Sequence, residues 1–527
     1  MTTTLYRRGR VRSSADPFAT ALLVDGPVVA WVGSEGAADA MSADRVVDLD
    51  DAWVAPAFVD AHVHATATGL ALTGLDLTGA PSLAAALDRV AVAARRAHGG
   101  AVLGTGWDDT GWPERRPPTA AELDRASYGG VVYLARTDVH SAVASSALLA
   151  ACPEARALPG FLPDGLVRQD AHHVVRRTAY EAVSRPQRAA AQRAALDRAA
   201  SLGIACVHEC GGPDIGGEQD FTDLLQLEHG VRRVGYWGEL GGTERARALG
   251  AAGPGGDLFL DGSLGSHTAG LREPYADAPH AGEVYHPAQA VADHLVDATR
   301  AGLQAGFHAI GDRALALLLT EALPAAAEVV GEPALRAARH RVEHAEVLDD
   351  GLVQALARYG LVASVQPVFD ARWGGRDGMY AERLGADRAA RLNPWAALAG
   401  AGVALALGSD SPVTGLDPWG TLRAAVSHRT PGSGLSARAA FAAHTRGGWR
   451  AAREDGTGDL VPGAPATFAV WEVPGELVVQ TPDDRVAGWS TDPRAGVAGL
   501  PDLDAPDPRC LRTVVSGATV FDSGQGP

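Results

Sequence analysis

Lysine does not occur in this chain of 527 residues; all 46 of its basic residues are arginine. No lysine side chain can therefore serve at any site. Cysteine is scarce as well. Cys152, Cys206, Cys210 and Cys510 are too few and too scattered for a disulfide framework, and they read as buried free thiols. No run of about 18 apolar residues occurs, which excludes a membrane-spanning helix. The segment Met1 to Arg12 carries arginines with no apolar stretch after them, so no secretory leader is expected. An excess of positive charge is missing too: the formal charge is −17, and a phosphate backbone would be repelled. The expectation is a cytoplasmic protein that handles a small molecule and meets neither nucleic acid nor membrane, with a homodimer left open.

What is present is a globular composition, 46% hydrophobic, in a chain long enough for a large domain and a small one. Near the start, Ala21–Val24 and Val28–Val32 flank Asp25-Gly26-Pro27, which is hairpin chemistry. Ala466–Trp471 and Arg512–Val515 repeat this short-stranded character at the other end. Both termini, residues 1–53 and 458–527, are therefore expected to build one small β-sandwich-like domain. Residues 54–457 alternate strands with helix-like segments such as Ala288–Arg300 and Asp349–Tyr359, the pattern of parallel β/α units. Strands are predicted at Val54–His64, Gly203–Cys210, Val231–Glu239, Asp257–Ser263, Leu303–Ile310, His340–Ala345, Leu361–Pro367 and Val403–Asp410. The fold class this predicts is α/β, a (β/α)8 TIM-like barrel with its site at the C-terminal strand ends. Roughly 140 residues separate the first two strands, too many for a simple connection, so residues of about 66–200 are read as a subdomain inserted after strand 1.

The chemistry gathers at the predicted strand ends. His62 and His64 lie two apart on a strand and face one way, so both imidazoles can share one cation. His308, His344 and Asp410 stand at the ends of later strands. Each has an ordinary reading as a core histidine or a turn cap. All of them in register with the strand ends point to a divalent metal, with zinc the best match to the donor types.

These motifs resemble the amidohydrolase superfamily, specifically its branch of N-substituted formamide deformylases. The resemblance rests on Val59-Asp60-Ala61-His62-Val63-His64, Asp261-Gly262-Ser263-Leu264-Gly265-Ser266, His308-Ala309-Ile310-Gly311-Asp312-Arg313, Glu343-His344 and Gly408-Ser409-Asp410. It implies that His62, His64 and Asp410 hold one metal, while His308 and His344 hold a second or steer the substrate. Asp410 would take a proton from the attacking water and return one to the leaving nitrogen. Relatives commonly carry a carboxylated lysine four residues before the Asp-Gly; here that position is Asp257. Without lysine no carbamate bridge can form, so Asp257 bridges in its place or the site is mononuclear, with Glu209 a weaker substitute. His267 replaces the arginine that usually follows Gly-Ser. Trp107, Arg136, His140 and His267 are the candidate substrate contacts; for Arg136 an ordinary Arg–Asp pair is the equal alternative.

The function expected on these grounds is hydrolysis of a C–N bond in an amide, N-formyl or N-acyl amine, with one or two divalent ions. Two alternatives stand beside it. One is hydrolysis of another electrophile, such as an ester, cyclic amide or amidine. The other is an inactive barrel retained for binding or regulation.

Overall fold

Between Trp53 and His64 the backbone divides at Ala57 and serves two sheets in turn. A computed structural model describes residues 2–136, 141–480, 489–490 and 498–524. In it, Trp53–Pro56 pairs antiparallel with Phe468–Glu472, whereas Phe58–Val63 pairs parallel with Ile204–Gly211. The single strand expected over Val54–His64 is thus two strands, and the barrel begins at Phe58. Pro56 explains the break, since a residue without an N–H cannot carry the ladder onward. The chain separates into two units, Met1–His64 with Leu196–Pro527, and Ala65–Ala195.

In the first unit, segments from both ends of the chain share sheets. A five-stranded sheet runs Arg10–Val11, Trp53–Pro56, Phe468–Glu472, Arg509–Val515, Ala518–Asp522. A four-stranded sheet combines Thr3–Arg7, Ala21–Asp25, Val28–Gly33 and Arg45–Asp48. Leu22, Val24, Val29, Val32, Val54, Phe468, Val470 and Val514 form their common core, and Tyr6 meets Phe468 edge-on at 5.2 Å.

The same unit contains an α/β barrel of the TIM type. Arg232–Trp237, Ile204–Gly211 and Phe58–Val63 form one parallel group; Gly306–Ala309, Arg341–His344, Val362–Val365 and Ala404–Leu407 form the other. Two irregular seams join them. At one, Asp410 N donates to His62 O at 2.8 Å and His64 N to Ser411 O at 2.9 Å. At the other, residues 253–260 take the fourth strand's place without a regular ladder. Trp237 N donates to Gly253 O at 3.0 Å, and His308 N to Leu258 O at 2.9 Å. The strand expected over Asp257–Ser263 is reduced to one bridge, Phe259 to His308. Gly253-Pro254-Gly255-Gly256 explains this. Pro254 withholds a donor, and a side chain at Gly253 would lie 1.8 Å from Gln304 O.

Helices close the circuit. Ala288–Arg300 buries Val291, Leu295 and Val296. Asp350–Tyr359 is capped by Asp349, whose carboxylate accepts from Leu352 N at 2.8 Å, and ends at Gly360 with φ +64°. This is the side-chain cap at one end and left-handed glycine at the other that terminates helices.

The second unit, Ala65–Ala195, has its own mixed sheet in the order Leu166–Arg168, Ser141–Ala144, Val132–Arg136, Val102–Trp107, Leu75–Asp76. Two apolar clusters pack it, one around Val90, Leu123 and Leu134 and another around Tyr133, Leu148 and Val175. Ala120–Ser127 opens with a reciprocal Thr119–Glu122 capping box. Among the described residues, no single helix is long and apolar enough to cross a membrane.

Candidate metal centre

His62 lies one residue before the end of the first barrel strand and His64 just beyond it. His308 lies on Gly306–Ala309, and His344 closes Arg341–His344. Strict alternation would turn His344 away from Glu343. Instead His344 and Ala345 adopt φ +71° and +50°, which swings the imidazole to within 5.1 Å of the His62 ring, centroid to centroid. Asp410 is left-handed too, at φ +53°. Such residues cost about 1–3 kcal/mol each and persist where the surroundings hold them. Asp60 supplies part of that hold: its Oδ1 accepts from His62 N at 3.3 Å and Ser409 N at 2.9 Å, tying the first and last strands together. Gly408 must lack a side chain, since a Cβ there would sit 2.7 Å from His62 N.

Each strand-1 histidine has its Nε2 close to two carboxylate oxygens. His62 Nε2 lies 3.4 Å from Asp257 Oδ2 and 3.5 Å from Asp410 Oδ1; His64 Nε2 lies 3.2 and 3.1 Å from the same two oxygens. A tetrahedral ion with ligands at about 2.0–2.2 Å has ligand–ligand edges of about 3.4 Å. The four distances match those edges. Both His62 Nε2 and Asp410 Oδ1 are buried and lack a hydrogen-bond partner, a costly arrangement unless a cation lies between them. The residues present therefore fit a divalent metal.

Asp257 divides its carboxylate. Oδ2 faces His62 and His64, while Oδ1 faces His308 Nδ1 at 3.4 Å and His344 Nε2 at 3.7 Å. On His344, His308 and His62 the remaining ring nitrogen is committed elsewhere, whereas His64 Nδ1 is buried without a hydrogen-bond partner. His344 Nδ1 pairs with Gln366 Oε1 at 2.8 Å, and His308 Nε2 donates to Gly262 O at 3.2 Å. His62 Nδ1 donates to Glu343 Oε2 at 3.0 Å. A carbonyl or carboxylate only accepts, so each partner fixes a proton on that nitrogen and leaves the other free for an ion.

The electrostatics demand positive charge. Burial alone would depress the His64 imidazole, yet Asp257 and Asp410 against it push it up to about 10. His62 rises in the same way against its burial, driven by Cys210, Asp257 and Asp410. Burial raises a carboxyl, but His62, His308 and His344 hold Asp257 well below the usual carboxylate range. A cation held between His62 and His64 and the two carboxylates would supply the positive charge that these shifts call for.

The structure treats the other predicted residues differently. Trp107 is buried in the core of its unit, its indole N–H donating to Leu134 O at 2.8 Å, so packing accounts for it. Arg136 Nη2 binds Asp108 Oδ1 at 2.9 Å, the Arg–Asp pair weighed for it above. His267 Nε2 lies 2.9 Å from Asp277 Oδ1 and closes a surface loop. His140 lies outside the described residues. Glu209 is absent from the groups of converging donors among the described residues, whereas His62, Asp257 and His344 form one such group and His62, His64 and Asp410 another. Asp257 rather than Glu209 thus occupies the position between the histidines.

Sequence reasoning left Asp60, Arg341, Glu343 and Gln366 without roles. Arg341 and Glu343 did carry a signal: two opposite charges two apart on a strand expected to be buried. Asp261 gains a clear structural task. Its carboxylate accepts from Gly270 N, Ile310 N and Gly311 N at 2.7–3.0 Å, fastening the loop after His308.

Comparison with known proteins places the chain in a family. Protein LONG AFTER FAR-RED 3 of Arabidopsis thaliana is 29% identical over 504 residues, covering 87% of this chain and 84% of its own. The N-substituted formamide deformylase of Arthrobacter pascens is 25% identical over 451 residues, covering 78% and 81%. A metal-dependent hydrolase of Pyrococcus furiosus superposes with a TM-score of 0.74 at 25% identity, over 89% of this chain and 98% of that one. The amidohydrolase family profile spans residues 45–521, which is most of the chain, so this chain belongs to the amidohydrolase family.

Proposed function

We propose that the protein is a metal-dependent hydrolase that cleaves a C–N bond in a small N-formyl or N-acyl amine or amide. The observation that carries this reading is the convergence of His62, His64 and Asp410 at the barrel mouth, with Asp257 within 3.4 Å of both histidines, and with His62 Nε2 and Asp410 Oδ1 buried and without a hydrogen-bond partner. The Arthrobacter relative, named for deformylation of substituted formamides, supports the bond type. A divalent ion held there, with zinc the best fit to the nitrogen and oxygen donors, lowers the pKa of water and polarises a carbonyl.

The chain's own groups do the rest. Asp410 stands against both strand-1 histidines and takes the proton that the attacking water loses. It then delivers that proton to the departing nitrogen, so the amine leaves neutral. Burial raises the Asp410 carboxyl, but His62 and His64 outweigh this and hold it below its ordinary value. Asp257, with one oxygen toward each histidine pair, would serve as the carboxylate between two ions where relatives commonly use a modified lysine, and His308 and His344 would hold the second.

The test combines metal content with turnover. The purified protein should carry zinc or take it up, and it should hydrolyse members of a panel of N-formyl and N-acyl amines. Asp410→Asn should lower kcat by about 10²–10⁴-fold, the usual contribution of general acid–base catalysis. Turnover in that variant within a few-fold of wild type would place the proton carrier elsewhere.

A further inference from the structure

Directly beneath the donor cluster lies a charged pair that the reaction itself does not use. Arg341 and Glu343 are both fully buried. Arg341 Nε donates to Glu343 Oε1 at 2.8 Å and Nη2 to Glu343 Oε2 at 3.0 Å, a bidentate fork. The same guanidinium reaches Ala61 O at 2.7 Å, His208 Nδ1 at 2.8 Å and Ser364 Oγ at 3.2 Å, and it lies 4.3 Å from the Tyr236 ring centre. Arg341 therefore grips the strands that carry Ala61, His208, Tyr236 and Ser364 as well as its own. Glu343 Oε2, held in that grip, accepts the Nδ1 proton of His62 at 3.0 Å.

Burying two charges is expensive even when they are paired, and apolar residues of similar volume often serve stability as well or better. A stability role alone leaves the pair unexplained. A positional role explains it, because a histidine ligand needs its far nitrogen to donate to an acceptor that does not move.

We propose that Arg341 and Glu343 form a positioning pair: Glu343 fixes the proton of His62 on Nδ1 and the ring plane that aims Nε2 at the ion, and Arg341 fixes Glu343. This rests on the metal-centre reading above and extends it below the ligands. Glu343 meets His62 at Nδ1, whereas Asp257 and Asp410 face Nε2.

The experiment is zinc titration of the full-length protein by chelator competition, comparing wild type with Glu343→Gln and Glu343→Asp. Glutamine keeps the length and removes the charge. Aspartate keeps the ion pair but is one methylene too short to reach His62. Both should raise the zinc Kd about 10–100-fold per folded molecule and change the visible spectrum of the cobalt-loaded protein. A pair that serves only folding would lower Tm and leave zinc Kd and the cobalt spectrum of the folded fraction unchanged; that result overturns the proposal. A further measurement needs no folded Glu343 variant. In wild type labelled with 15N-histidine, with His62 assigned by its loss in His62→Ala, Nδ1 should be protonated and Nε2 should respond to zinc. The reverse assignment also overturns it. If the wild type takes up no zinc at all, the metal centre itself falls; if it binds zinc and the Glu343 variants bind as tightly, only the positioning pair falls.

Discussion

One residue, Asp257, carries the chemical difference between this site and one bridged by a carboxylated lysine. Its carboxylate is already present, so metal binding should not depend on dissolved carbon dioxide. Metal titration of the apo-protein with bicarbonate stripped or supplied should give the same stoichiometry and affinity. Asp257→Asn should weaken one position and leave the His62–His64 position some affinity; two ions bound as tightly as in wild type would show that Asp257 is not the bridge. A second residue, Glu346, ties this region to pH. It is buried, its Oε2 has no hydrogen-bond partner, and burial raises its carboxyl from 4.5 to about 7. A raised carboxyl favours the folded state below the unfolded value of 4.5, and that contribution is lost as pH rises through about 7. The difference of 2.5 corresponds to about 3 kcal/mol. In metal-free protein, Glu346→Gln should therefore add about that much stability at pH 8 and little near pH 4.5. Equal effects at both pH values in urea unfolding would contradict this.

At the scale of elements, the active end of the barrel is held by side chains that reach between loops. Asp261 is the clearest case, since three backbone N–H groups from two segments share its two oxygens. Asp261→Ala leaves those donors buried without an acceptor, a loss of about 3 kcal/mol or more. Chemical unfolding should show that loss, and Asp261→Asn should lose less because one oxygen remains. The irregular fourth segment makes this anchor necessary. Residues 253–260 have no regular ladder, so Asp257 depends on backbone contacts to Trp237 and His308 and on the loop that Asp261 closes.

At the scale of the whole chain, the two termini meet in one sheet, and its strand Trp53–Pro56 runs straight into barrel strand Phe58–Val63. Removing residues 500–527 would delete Arg509–Val515, one of the two strands paired with Phe468–Glu472, and expose a buried, apolar strand edge, which invites aggregation. Thr513 also donates to Ala200 O at 2.7 Å, beside the second barrel strand. The truncated chain should accumulate as insoluble protein; a soluble truncation with wild-type Tm would show that this sheet is dispensable.

Much of this was readable from residues alone because it is local. Side-chain alternation put His62 and His64 on one face, glycine and proline marked turns, and the lack of lysine settled which bridge cannot form. What only the tertiary structure decided depends on relations between distant segments. Trp107 and Arg136 have the chemistry of substrate contacts, but their neighbours consume it in packing and an ion pair. The reading of Val54–His64 as one strand failed because Pro56 cannot carry the first ladder onward and a different partner takes up the chain at Phe58. The split carboxylate of Asp257, the left-handed turn that re-aims His344 and the grip of Arg341 on Glu343 each require parallel strands in register from Phe58 to Asp410. No single stretch of chain encodes that convergence: donor type is a property of a residue, whereas the distance between two donors is a property of the fold.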